Sequence, residues 1–203
     1  MASRMMSASK QYGVSLLVSQ AVEELLTDTA RSKLRHIDTV TVKGSSLRQR
    51  IFTYDMRHQG VDFFLFARSD IDADLDAECY TPSIWNTDQD LLKMRQHISD
   101  DFLVEFNFGR DQYLAGKWTG AIEHLKKADG IMIRHVVDEG FLEESVDGIE
   151  RLLFDQSDES NPEAARLRNE LGDGPSRCLI AFMEKRGGAA PPGWAGFRPL
   201  TSK

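Results

Sequence analysis

The chain has 203 residues, enough for one domain or two small ones, and its 41% hydrophobic and 28% charged content excludes wholesale disorder. A net charge of −7 excludes a general nucleic-acid binder, which needs a basic face to neutralise phosphates. Cys79 and Cys178 lie far apart without metal-ligand spacing, no apolar run is long enough to span a bilayer, and no signal-peptide core is present; a reduced, soluble, cytoplasmic segment without membrane contact is expected, with room for a membrane-anchored parent protein.

In chain order, Met1 to Gln11 lacks Pro and Gly and predicts a helix. It stops at Tyr12-Gly13, where Gly supplies a left-handed cap. Val14 to Ser19 is a short apolar run that reads as a buried strand. Ser19 then N-caps a helix over Gln20 to Leu26, with Glu23 and Glu24 suited to the helix dipole. Ile37 to Val42 alternates β-branched residues, Gly44-Ser45-Ser46 turns, and Arg50 to Tyr54 returns as the second arm of a hairpin.

The sequence Met1-Ala2-Ser3-Arg4, Tyr12-Gly13, Leu16-Leu17-Val18-Ser19, Glu23-Glu24-Leu25-Leu26 and Val42-Lys43-Gly44 resembles the last third of a class III nucleotide cyclase domain. That family has a helix bearing Asn-x-x-x-Arg, a Gly-containing turn, a strand ending in Ser, a short Glu-rich helix, and a ribbon bearing Val-Lys-Gly. The resemblance covers about a quarter of the chain. It implies conversion of ATP or GTP to a cyclic nucleotide and pyrophosphate, in intracellular signalling, with Mg or Mn as cofactor in the parent family. By the same resemblance Arg4 stabilises the charge that develops at the α-phosphate, and Lys43 contacts the triphosphate. The motif's Asn would precede Met1, and the family's metal-binding Asp residues and base-reading positions lie further upstream. A C-terminal fragment is therefore expected, binding no metal alone and inactive alone. Because the family builds its site across a head-to-tail dimer, the implied partner is a second cyclase half or a homodimer mate.

Charge is unevenly spread beyond that point. Residues 31–58 carry Arg31, Lys33, Arg35, Lys43, Arg48, Arg50 and Arg57 against only Asp38 and Asp55, whereas 62–105 is strongly acidic. This fits an anionic ligand or pairing between the two segments. Val61 to Ala67 predicts an added edge strand and Ser69 to Asn86 an acidic loop. Asp70, Asp72, Asp74 and Asp76 fail as a calcium loop, because Leu75 and Thr81 stand where Gly and Glu are required. His36, His58, His97, His124 and His135 never fall at zinc-ligand spacing.

Phe102, Phe106 and Tyr113 mark one face of a helix from Ser99 to Ala115. Tyr113-Leu114-Ala115-Gly116-Lys117-Trp118 with Ala121, Leu125 and Ala128 resembles a single tetratricopeptide helix–turn–helix, with Trp118 in its core. Further helices are predicted over Ile131 to Glu144, Val146 to Phe154, Pro162 to Leu171 and Pro175 to Lys185. Gly187 to Lys203 predicts an extended tail pinned by Trp194 and Phe197. Asp173-Gly174-Pro175-Ser176, Met183 and Pro191-Pro192-Gly193-Trp194 resemble the ending that follows cyclase domains in large microbial-eukaryote proteins.

The expected fold is α+β: a remnant of a ferredoxin-like cyclase sheet with three to four strands, then a mainly helical domain. The expected division is 1–67 as the cyclase part, 68–98 as an acidic linker, 99–186 as the helical domain and 187–203 as the tail. The competing function is a non-catalytic interaction or dimerisation module built on the helical hairpin.

Overall fold

The computed structural model describes residues 2–42, 46–57, 82–138 and 162–200; the side chains of residues 2–6, 42 and 163 are also outside the description. In chain order the elements are α1 (Ala2–Tyr12), β1 (Leu17–Ser19), α2 (Gln20–Glu23), α3 (Asp28–Arg31), β2 (Leu34–Val42) and β3 (Arg48–Tyr54). They continue with α4 (Ile84–Thr87), α5 (Gln89–Arg95), α6 (Asp100–Leu114), α7 (Trp118–Asp138), α8 (Pro162–Leu171), α9 (Gly174–Glu184) and β4 (Arg198–Leu200). The fold is α+β, with one mixed sheet in the order β1-β3-β2-β4. β1 and β2 flank β3 antiparallel, and β4 runs parallel to β2.

The expected helix, strand and hairpin of the N-terminal part are present, with small shifts. Gly13 takes φ 64, the left-handed cap that ends α1. Ser19 occupies the N-cap position of α2 but makes no side-chain cap bond. That helix stops at Glu23 rather than Leu26: Leu25 and Leu26 close i→i+3 turns onto Val22 and Glu23. Leu25 is 85% exposed, so no burial holds a longer α-helix there.

Val61 to Ala67 lies outside the described residues, as do the acidic run 68–81 and the helix predicted over Val146 to Phe154. Among the described residues the fourth strand is supplied by the tail. Pro199 fits there because β4 is an edge strand and the residue is exposed, so its missing N–H deprives no ladder.

α6 packs against β2, α7 against α6, α9 against α7, and α1 against α9 and β1. Ser99 caps α6 by accepting from the Phe102 N–H at 3.2 Å. Phe102, Phe106 and Tyr113 are fully buried, as are Ala121, Leu125 and Ala128 opposite them. α7 runs through Asp129-Gly130 without the break expected before Ile131. Met132, Ile133, Val136 and Val137 are buried, and that burial outweighs the roughly 1 kcal/mol that one Gly costs a helix. A single buried cluster joins Ala8 and Tyr12 of α1 to Ile37, Val40 and Ile51 of the sheet, the hairpin, α9 and Leu200.

The contact between α1 and α9 is made by glycine. A Cβ on Gly174 would stand 2.2 Å from the Tyr12 carbonyl oxygen and 3.1 Å from Gly13 Cα. Both are backbone atoms and cannot swing aside. Gly174→Ala is expected to destabilise the fold by about 1–3 kcal/mol; an unchanged urea midpoint would show that the two helices separate freely.

Candidate functional site

A bulge in β2 sets up the polar interior. His36 pairs with Phe52 and Asp38 with Ile51, leaving Ile37 as the extra residue. Arg35, Ile37, Asp38 and Val40 are consequently all buried, which strict strand alternation would not allow. Two ionic clusters grow from the two sides of this bulge.

The first centres on Arg35. Its guanidinium donates to both oxygens of Asp55, at 2.8 and 2.6 Å, and to both oxygens of Asp173, at 3.2 and 2.8 Å. It also lies over the rings of Phe102 and Phe106, with centroids at 4.9 and 4.1 Å. Burial alone would lower its pKa, but Asp173 and Asp55 hold it above its ordinary value. Asp173 also caps α9, accepting from the Ser176 N–H at 2.9 Å and from the Ser176 hydroxyl at 2.6 Å. Burial would raise its pKa, yet Arg35 and Ser176 hold it below the ordinary value. Arg57 closes the neighbourhood by donating to the carbonyls of Glu170, Leu171 and Gly172 at the end of α8.

These groups border a cavity of about 290 Å³, whose walls include Gly13, Ser15, Asp55, His97, Asn169 and Pro175. The two guanidiniums facing it already serve carboxylates and helix carbonyls. The cavity is a joint between α1, the sheet and the α8–α9 turn, not an open anion site. His97, 2% exposed, is neutral there: burial, then Arg57, Arg95 and Arg35, push its pKa down to about 3 against the opposing Asp173. His36 is similarly lowered to about 4 by burial, Arg110 and Arg50, against the Asp38 carbonyl and Asp111.

A pH dependence follows from these two histidines. Each binds a proton near pH 6.5 when unfolded but only near pH 3 to 4 when folded. Their contribution is intact above pH 6.5 and is lost as the pH falls toward 4, because the unfolded chain takes up protons first. Unfolding free energy is expected to drop by about 3 kcal/mol for each of the two histidines between pH 7 and pH 4. His97→Gln should flatten that slope in urea titrations; an unchanged slope would exclude His97 as its source.

The second cluster centres on Asp38, which is fully buried. Its Oδ2 accepts from Tyr12 Oη at 2.6 Å and from Arg198 Nε at 2.8 Å, and its Oδ1 accepts from the Thr39 N–H at 2.7 Å. Arg198 also reaches Cys178 Sγ at 3.1 Å.

A third assembly closes the hairpin. The indole N–H groups of Trp118 and Trp194 donate to the Tyr113 carbonyl at 3.2 and 3.1 Å, and Trp194 also to Leu114 at 3.1 Å. They satisfy carbonyls that the end of α6 leaves without helical partners. Trp118, Trp194, Tyr113 and Phe182 pack with ring centroids 5.1 to 6.2 Å apart.

Arg4 lies in the first turn of α1, and its side chain is outside the description. Lys43 is likewise outside the described residues, immediately after Val42, the last residue of β2. The basic segment finds its described ion-pair partners in Glu23, Asp28, Asp55 and Asp173. Among the described residues, no three His, Cys, Asp or Glu side chains converge as metal ligands, and no helix is long and apolar enough to cross a membrane. Sequence reasoning missed Arg35, Asp173 and Arg198, whose partners lie up to 160 positions away. The signal available was Asp38, a charge inside the strand predicted over Ile37 to Val42. Comparison with protein families, characterised proteins and solved structures finds no match to this chain.

Proposed function

We propose that this chain is the C-terminal part of a class III nucleotide cyclase catalytic unit, fused to a helical extension. The observation that supports the reading is the element order: α1 with its Gly13 cap, β1 ending in Ser19, the short α2, and the antiparallel β2–β3 hairpin. That order matches the resemblance, in which Lys43 directly follows Val42, the last residue of β2, in the sequence. In this reading Arg4 supplies fixed positive charge where the α-phosphate gains charge, and Lys43 holds the triphosphate of ATP or GTP. In the parent family the metal-binding Asp residues lie upstream of this segment, so on this reading Mg or Mn belongs to the second cyclase half.

The test mixes this chain with a separately produced class III half carrying the metal-binding Asp residues, in the presence of Mn and ATP or GTP. Cyclic nucleotide is expected only from the mixture, and Arg4→Ala should reduce it by about 10²–10³-fold. No product from a folded mixture would overturn the reading. That outcome leaves a non-catalytic interaction module, which Val104 and Phe108 favour, being 66% and 52% exposed on the outer face of α6.

A further inference from the structure

We infer that Arg198 is a positioning residue that sets the helix carrying Arg4 and the strand leading into Lys43 from one anchor; what those two residues do rests on the cyclase reading, but the anchoring does not. β4 pairs with the outgoing end of β2 in the register Arg198–Val40, Pro199–Thr41 and Leu200–Val42. Leu200 therefore stands opposite the residue that precedes Lys43. On the other side, Arg198 Nε lies 3.3 Å from Tyr12 Oη, and its guanidinium lies 4.9 Å from the centroid of that ring. Tyr12 is the last residue of α1, and Arg4 sits roughly two turns earlier on the same rod. Asp38 of β2 takes hydrogen bonds from Tyr12 and Arg198 on one oxygen, so α1, β2 and β4 meet at a single atom.

Three features fit an orienting contact better than a generic stabilising one. Tyr12, Asp38 and Arg198 are each 3% exposed or less, so the geometry is not loosened by water. The planar fork of arginine serves Asp38, Tyr12, Cys178 and the Phe182 ring together, which the point charge of lysine cannot. A buried ion pair is weak evidence for net stability, so the Arg198–Asp38 contact is assigned to fixing the register of α1, β2 and β4. The strap is also held upstream, where Trp194 binds the end of α6 and Gly196, at φ 76, passes the Leu114 carbonyl too closely for a side chain. Its reach is thus fixed at both ends.

The experiment is amide hydrogen exchange on the full chain, comparing wild type, Arg198→Lys and the double variant Arg198→Met with Asp38→Asn. The double variant leaves no buried charge without its counter-ion. Exchange in 2–12 and 40–42 is expected to rise about tenfold or more, while α6 and α7 keep their protection. Unchanged exchange in α1 would overturn the inference, and so would a uniform rise in every element, which would make Arg198 a global stabiliser. In the complemented mixture, Arg198→Lys should raise KM for the nucleotide about tenfold, which a smaller folded fraction cannot do. Selective loosening of α1 without product from the wild-type mixture keeps the anchoring role and removes the cyclase reading. Product formation with KM unmoved by Arg198→Lys overturns the anchoring role and keeps the cyclase reading.

Discussion

Arg35→Met is expected to lower the unfolding free energy by about 3–5 kcal/mol, the largest effect of any single charge removal here. The reason lies in what remains. Asp55 and Asp173 are 8% and 4% exposed, and both would lose their shared cation in a site that water barely reaches. The methionine fills much of the same volume between Phe102 and Phe106, so lost packing is a minor part of the cost. Arg35→Lys should fall in between, because one ammonium cannot make paired bonds to two carboxylates. The measurement is a urea titration at pH 7 with the slope compared between variants. A loss below about 1 kcal/mol would mean that the carboxylates are solvated as surface groups are. Asp173→Asn is the informative companion: it removes one charge but keeps an oxygen for the α9 cap, so it should cost less than Arg35→Met.

Trp118→Ala should cost a similar amount, about 3–5 kcal/mol, through a different cause. The indole is 1% exposed, stacks with Tyr113 at a 24° interplanar angle, and meets Trp194 and Phe182 edge-on. Its removal leaves a void bounded by rings too rigid to collapse into it. It also takes one of the two indole donors from the Tyr113 carbonyl. Trp118→Phe keeps most of the packing and loses that donor, so it should cost less than half as much. Equal losses for Ala and Phe would assign the effect to the hydrogen bond and not to the cavity. Thermal unfolding followed by circular dichroism distinguishes the two.

The contrast between these residues shows what was readable in the chain. Trp118, Ala121, Leu125 and Ala128 declare themselves by local spacing, because helix packing repeats every three to four residues. The α1–β1 boundary is equally local, since Gly13 alone can take the backbone turn that ends the helix. Arg35 carries no such mark. Its role depends on Asp55 and on Asp173, which is 138 positions away, and on a bulge that no periodicity announces. The tail was expected to be extended and pinned by Trp194 and Phe197. Trp194 does bind the hairpin, and Phe197 lies under the Arg48 guanidinium. Its β4 pairing could not be foreseen, because a three-residue strand containing Pro has no strand signature by itself.

The parallel seat of β4 beside β2 also has a consequence for biosynthesis. A ribosome releases Asp38 long before Arg198, 160 positions later. At ordinary translation speeds that interval is roughly 10–30 s. Throughout it the carboxylate lacks its cationic partner, and the β2 edge that β4 will cover stays open to pairing with a neighbouring nascent chain. The N-terminal half therefore waits with that edge uncovered and that carboxylate unpaired by Arg198 until the last residues of the tail arrive.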